Sequence, residues 1–361
     1  MSYNYESMVE PLLSWFDKQK RSLAWRDDPK PYYVWVSEIM LQQTRVEAVK
    51  GYFDRFIKEL PTIADLAAVD DDKLMKLWEG LGYYNRARNL KKAANVVVTE
   101  YGGELPANYD SLLSLPGIGS YTAGAISSIA FGLKEPAVDG NVLRVTKRIA
   151  GSYDDITKQS VKKELEVDMR AIMPERPGDF NQAIMDLGAM VCIPNGKPLC
   201  EKCPLASICV ATKKDIYTEI PVKPAKKARK LEDKTVILLE YQGKYAVAKR
   251  PKKGLLAGLW EIPNLEGKYD PDDMENLAKE LGIKDYELEL LGKGKHIFSH
   301  IEWHMLGYHL KIKEWEKEKS KITLDTLKEP LPVESYTWVN EEQLEHEYAL
   351  PNAFDAYKVW K

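Results

Sequence analysis

All four cysteines of this 361-residue chain fall within eighteen residues: Cys192, Cys200, Cys203 and Cys209, in CIPNGKPLCEKCPLASIC with spacing C-x7-C-x2-C-x5-C. Crossing two disulfides in so short a loop strains the backbone, and the N-terminus shows no basic, apolar leader, so metal ligation is the expectation. Zinc in an all-cysteine site usually takes two CxxC knuckles, and only one is present. The wide, uneven gaps suit a [4Fe–4S] cube better, because its four corner irons are spread over several ångströms. On spacing alone, zinc remains the alternative.

Two isolated carboxylates also draw attention. Glu38, in VWVSEIMLQQT, interrupts an apolar run. Such a residue is commonly a solvated helix-face glutamate, but a buried one has a raised pKa and suits a general acid near neutral pH. Asp139, in AVDGNVLRV, follows an apolar pair and precedes a glycine. Its carboxylate reads as held at the end of an element, as a helix cap. Asn141 is placed to orient it. Between them, LPGIGSYTAGAI is a tight glycine turn opening a helix. Gly117 and Gly119 let a backbone come close, and free N–H groups at the helix start offer a seat for phosphate. A plain junction between two helices is the competing reading.

Elements must hold these residues. Apolar positions recur at helical spacing in residues 31–57, 72–101 and 120–133, punctuated by Gly and Pro. At 221–230, PVKPAKKARK, prolines alternate with lysines and the periodicity is lost, which marks a linker. Beyond it TVILLEYQGKYAVAKR reads as a hairpin around Gln242-Gly243, HMLGYHLKIK and ESYTWVN as strands, and DPDDMENLAKELGI as a capped helix. The expected organisation is therefore multidomain: an all-α domain over 1–220, a linker at 221–230 and an α+β domain over 231–361. Hydrophobic content of 44% is that of a globular chain, and no run reaches the length of a membrane span. A cytoplasmic protein, monomeric and without a membrane partner, is expected. Net charge is −3, but residues 1–230 hold 33 basic against 30 acidic residues, so DNA contact would rest on local patches.

The hairpin turn together with the cysteine loop resembles the helix-hairpin-helix DNA glycosylases of the endonuclease III superfamily. WVSEIMLQQTR further resembles their MutY-type adenine glycosylase branch. The resemblance implies a [4Fe–4S] cluster on the four cysteines, although the family's first gap is six residues and this chain has seven, with Asn195-Gly196 able to absorb one. It implies Glu38 as the acid that protonates adenine and Asp139 as the charge facing the sugar, beside Asn141. Bifunctional members carry a lysine just after the hairpin turn to form a Schiff base. Here Ser120 and Tyr121 stand there, which implies a monofunctional enzyme with Tyr121 near the reacting centre. Trp25, Arg26 and Gln182 match the adenine pocket, and Leu41, Gln43, Thr44 and Tyr83 the residues that wedge into the duplex. The C-terminal part resembles a Nudix-like domain lacking the paired glutamates of a Nudix hydrolase. Its Phe298, Ser299 and His300 match the segment that inspects 8-oxoguanine. The implied partner is double-stranded DNA with A:8-oxoguanine or A:G mispairs. An endonuclease III-like pyrimidine or T/G mismatch glycosylase and a non-catalytic iron–sulfur DNA-binding protein are the rival readings.

Overall fold

A computed structural model of the chain describes residues 3–225, 228–316 and 336–360. In chain order its helices are α1 (Val9–Gln19), α2 (Ala24–Asp27), α3 (Pro31–Leu41), α4 (Val46–Glu59), α5 (Ile63–Ala68), α6 (Asp71–Trp78), α7 (Asn85–Glu100), α8 (Tyr109–Ser114), α9 (Ser120–Phe131), α10 (Gly140–Ala150), α11 (Gln159–Ala171), α12 (Pro177–Met190), α13 (Val210–Lys214), α14 (Pro271–Glu280) and α15 (Glu341–His346). Its strands are β1 (Lys230–Tyr241), β2 (Lys244–Lys249), β3 (Trp260–Glu261), β4 (Asn264–Glu266), β5 (Ile283–Ile297), β6 (Ile301–Trp315) and β7 (Thr337–Val339). No described helix is long and apolar enough to cross a membrane. The chain divides into two compact units, one of residues 1–69 and 85–225, the other of residues 70–84 and 226–361.

The first unit is helical. α3 and α9 are its central pair, packed on each other. Both are apolar on every side, and a helix of that kind is stable only when enclosed. Tyr32 and Val34 to Met40 are all buried on α3, as are Thr122 to Ser128 on α9. α9 comes this close to its neighbours by using small residues. A Cβ at Gly124 would lie 2.1 Å from the Pro136 carbonyl oxygen, so that position excludes any side chain. α12 runs against α1, α9 and α10, and closes the core around Phe180, Ile184 and Leu187.

The long helical pattern of residues 31–57 is in fact two helices. It breaks between α3 and α4, where Gln43 takes φ +62°. Arg86 on α7 fills the gap: its Nη1 donates to the carbonyls of Ile39 (2.7 Å), Met40 (3.0 Å) and Gln42 (2.7 Å). These are the unpaired carbonyls that every helix end leaves. The pattern of residues 72–101 breaks in the same way between α6 and α7, with Tyr83 at φ +48°.

The second unit is a seven-stranded sheet with main order β3-β2-β1-β6-β5, in which β1 and β6 pair in parallel and β4 and β7 attach to β1 and β2. β1 is central and covered on both faces, so Lys234 to Leu239 are all buried and no alternation is visible. Gln242 and Gly243, both at positive φ, make the expected tight β1–β2 turn. α14 covers one face through Met274, Leu277 and Ala278. The other face packs Trp303, Met305, Phe354 and Tyr357. The expected strand ESYTWVN is described from Tyr336 onward, as β7; its first two residues lie outside the described residues.

Residues 70–84 join this unit through specific bonds. Asp72 accepts from Lys249 Nζ (2.8 Å) and Trp260 Nε1 (3.2 Å). Lys76 Nζ donates to the carbonyls of Leu344 and Tyr348, and the Leu350 N–H donates to Glu79 Oε1 at 3.1 Å.

Candidate active site

Glu38 is enclosed with the rest of α3 and only 5% exposed, which removes the reading of a solvated surface glutamate. Its partner comes from the hairpin. α8 and α9 are joined by the glycine turn, in which Gly117 takes φ +78° and lies so near α7 that a Cβ there would meet the Asn89 Cβ at 2.6 Å. Gly119 caps the start of α9, and Tyr121 follows one residue inside the helix. The Tyr121 hydroxyl donates to Glu38 Oε2 at 2.5 Å and lies 3.7 Å from Met185 Sδ of α12. That bond uses Glu38 Oε2 and leaves Oε1 outside it.

Asp139 is the N-cap of α10. It accepts from the Asn141 and Val142 N–H groups, both at 2.8 Å, and from Asn141 Nδ2 at 2.9 Å. The capping reading and the functional reading are therefore both satisfied by one carboxylate. Arg144, one turn further along α10, donates to Asn141 Oδ1 (2.9 Å), to the Gly188 carbonyl (2.8 Å) and to the Cys192 carbonyl (2.9 Å). It fixes Asn141 and, through it, Asp139.

Burial raises the Glu38 carboxyl above the ordinary range, opposed by the Tyr121 hydrogen bond and the Arg26 charge and reinforced by the negative charge of Asp139. Burial also raises Asp139, opposed by its three N–H donors and by Arg144. Two carboxyls that repel one another cannot both ionise readily, and the better-donated one ionises first. Asp139 has three N–H donors and a helix N-terminus, whereas Glu38 has one hydroxyl. Asp139 is thus the better placed of the two to carry a negative charge, and Glu38 to hold a proton. Tyr121, pushed well above its usual value by burial and by these carboxylates, stays a donor.

Arg26 stands beside this pair, on α2. Trp25 next to it is buried against Phe53 at 5.1 Å, where it anchors the helix as a core aromatic. Both terminal nitrogens of Arg26 donate to Asp186 of α12, at 2.8 and 2.9 Å, and Arg21 donates to the same carboxylate. Asp186 is fully buried. Gln182 lies one turn earlier on α12, also buried, with Nε2 donating to the Gly178 carbonyl at 3.2 Å, so its carboxamide oxygen faces no donor from that bond. The expected residues did not include Asp186, Arg21, Met185, Arg144 or Arg86. A signal for Asp186 was present, since it follows Gln182 by four residues and shares its helix face.

The turn after α3 presents Leu41, half-buried, then Gln43, exposed and at positive φ, and Thr44, whose N–H donates to the Leu41 carbonyl at 3.2 Å. A left-handed glutamine is strained, and such strain persists only where neighbours hold it, here Arg86. In the second unit Tyr83 is likewise left-handed and 51% exposed, and its hydroxyl lies 3.2 Å from that of Ser299. Ser299 and His300 are exposed in the turn between β5 and β6, while Phe298 packs edge-on against Trp303 at 4.9 Å.

The four cysteines line one cavity. Gly196 at φ +75° makes the bend in the long first gap. Among the described residues no three His, Cys, Asp or Glu side chains are grouped to hold a single metal ion. The surroundings nevertheless fit an anionic centre. Arg148 is 4% exposed, and its Nη1 donates to Cys192 Sγ at 3.3 Å and to the Ile193 carbonyl at 2.9 Å. A buried guanidinium calls for a negative partner, which metal-bound thiolates supply and neutral thiols do not.

Residues 36–170 match the family described as HhH-GPD superfamily base excision DNA repair protein, and residues 235–358 match the NUDIX domain family. The adenine DNA glycosylases of Homo sapiens and Mus musculus are each 36% identical to the chain, over 81% and 83% of its length. That of Buchnera aphidicola subsp. Schizaphis graminum is 34% identical, over 82% of the chain and 85% of its own length. The chain belongs to the adenine DNA glycosylase family. It spans 64% of the human relative's length and 70% of the mouse one's. Among solved structures, a thermostable thymine-DNA glycosylase is similar over 58% of the chain and 96% of its own length, with 32% identity and a TM-score of 0.53. A non-covalent endonuclease III–DNA complex is similar over 60% of the chain and 99% of that chain, with 27% identity and a TM-score of 0.52. The helical architecture is thus shared by glycosylases named for other substrates, and the fold does not select the base.

Proposed function

We propose that the chain removes adenine mispaired with 8-oxoguanine, and with guanine, by hydrolysing the N-glycosidic bond in duplex DNA. Glu38 Oε1 protonates the departing adenine at N7, so that the base leaves neutral. Asp139, held ionised by its N–H donors and oriented by Asn141, stabilises the oxocarbenium-like sugar. Tyr121 keeps Glu38 aimed and supplies a hydroxyl at the same place. Gln182 and Arg26 border the extruded base. Leu41, Gln43 and Thr44 take part in filling the vacated stack, and Gly117 and Gly119 in seating phosphate. Tyr83 with Ser299, flanked by Phe298 and His300, reads the 8-oxoguanine. The single observation that carries this reading is the buried Glu38 hydrogen-bonded by Tyr121, the residue that stands just after the hairpin turn where bifunctional members of the superfamily carry a lysine.

The enzyme is monofunctional in this reading, because α9 begins Ser120-Tyr121 and its next lysine in sequence is Lys134, which pairs with Glu175. Cys192, Cys200, Cys203 and Cys209 would hold a [4Fe–4S] cluster, which cross-links the loop that follows α12. Release of free base from duplexes containing A:8-oxoguanine, A:G, T:G or thymine glycol tests the whole. Adenine should be released from the first two only, and the strands should stay intact until alkali is added. Excision of thymine or thymine glycol would favour the endonuclease III-like reading. No release from any duplex would favour the non-catalytic one.

A further inference from the structure

Arg26 has a choice of two carboxylates, and Asp186 decides it. The guanidinium lies close enough to Glu38 for its charge to act on that carboxyl, yet both its terminal nitrogens donate to Asp186. Asp186 accepts in addition from Arg21 Nε at 3.1 Å and from Arg21 Nη2. Its side chain has no exposed surface, against 13% for Arg26 and 26% for Arg21. A fully buried carboxylate clamped by two guanidinium groups is fixed in place, and bidentate pairing leaves Arg26 little freedom to turn.

The other charged or titratable groups facing Glu38 are few. Tyr121 of α9 donates to it, and Asp139 at the start of α10 repels its charge. Arg86 of α7 directs its Nη1 at the last carbonyls of α3 instead. On α4, Glu47 and Lys50 are exposed and paired with each other. After burial and the Tyr121 hydrogen bond, the charge of Arg26 is the next influence on Glu38.

We propose that Asp186 is a positioning residue that keeps Glu38 a proton donor, by holding Arg26 in a bidentate pair that the guanidinium would otherwise form with Glu38. The inference rests on Glu38 being the acid. An Arg26 released onto Glu38 would convert it to a carboxylate in an ion pair, and an ionised Glu38 cannot protonate a base. A guanidinium paired directly with a carboxyl lowers its pKa by about 1–3 units. The acid would then be disarmed at neutral pH and would recover at lower pH.

The experiment is single-turnover adenine excision from an A:8-oxoguanine duplex as a function of pH, for the full chain and for Asp186→Asn, with mismatch binding and thermal melting measured alongside. The expected result is an alkaline limb displaced about 1–3 pH units toward acid, a loss of roughly tenfold or more at neutral pH, and partial recovery at lower pH. Adding Arg26→Gln to Asp186→Asn should abolish the displacement toward acid and carry the limb back to its original position or to its alkaline side, because the Arg26 charge already opposes protonation of Glu38 in the parent. If Asp186→Asn does not fold, the charge-matched pair Asp186→Asn with Arg21→Gln takes its place and should show the same displacement. A uniform loss at every pH, or a displaced limb that Arg26→Gln fails to restore, would overturn the proposal. Glu38→Gln in the same assay separates the two readings. If that variant excises adenine normally, the acid assignment fails and the role of Asp186 proposed here falls with it.

Discussion

Replacing Glu38 by glutamine changes one atom and should change two properties in opposite directions. Glutamine keeps the size of the side chain and can still accept from Tyr121, so α3 and α9 should pack as before. It cannot deliver a proton. Loss of general acid catalysis alone is worth about 10²–10⁴ in rate, or roughly 2.7–5.5 kcal/mol of barrier. Stability should move the other way. Burial raises the Glu38 pKa above its unfolded value, so the folded state binds this proton more tightly than the unfolded chain does. Its stabilising contribution is full below the ordinary carboxylate range and is lost as pH rises through the raised folded value. Above that value a buried carboxylate is a cost that glutamine does not carry. Above the ordinary carboxylate range Glu38→Gln should therefore melt higher than the parent, by a margin that grows with pH until the raised folded value is passed, because the unfolded parent chain gains from ionising this carboxyl and the variant does not. At acid pH the two should converge. Single-turnover excision at several pH values, beside thermal melts in the same buffers, reads both effects. A variant that is less stable at neutral pH, or that excises adenine within tenfold of the parent, would refute the argument that Glu38 is a buried acid held at a cost.

Asp139→Asn keeps the cap, since asparagine also accepts from the N–H groups of Asn141 and Val142. Excision should fall by on the order of 10² or more with folding and mismatch binding preserved, as excision and gel-shift assays would show. Gly117→Ala forces a Cβ into Asn89 at a left-handed position, which should cost about 1 kcal/mol or more in a denaturant melt and weaken duplex binding without regard to the mispair. The purified protein should contain about four iron per chain with broad visible absorbance, and Cys203→Ser should lower the iron content; stoichiometric zinc in its place would contradict the cluster. Ser299→Ala breaks the contact with Tyr83, so it should narrow the preference for A:8-oxoguanine over A:G while leaving A:G excision within a few-fold, and equal preference to the parent would remove Ser299 from recognition.

Much of the candidate site was legible in order along the chain. The four cysteines are confined to one loop, the glycine turn opens α9, and Glu38 is a lone acid in a run that no solvated helix would carry. Each of these is a local signal, because turns, caps and ligand loops are built from neighbours in sequence. The β1–β2 hairpin was legible for the same reason, since Gln242-Gly243 by itself sets the backbone handedness of the turn. Periodicity was a weaker guide. It reported that residues 31–57 and 72–101 bury a helical face, but both runs are broken, at Gln43 and at Tyr83, where residues elsewhere in the chain hold a left-handed backbone. Only the tertiary structure placed residues 70–84 with the sheet unit, because ion pairs and carbonyl contacts with residues some 180–270 positions away have no local trace. The same holds within the site. That Glu38 is buried against a hydroxyl and not solvated on a surface depends on a helix whose Tyr121 is 83 residues away, and the company Arg26 keeps depends on Asp186, 160 residues away. A sequence can show which groups are able to carry a charge or a proton. Which of them does so is decided by burial and by partners, and those exist only once the helices have packed.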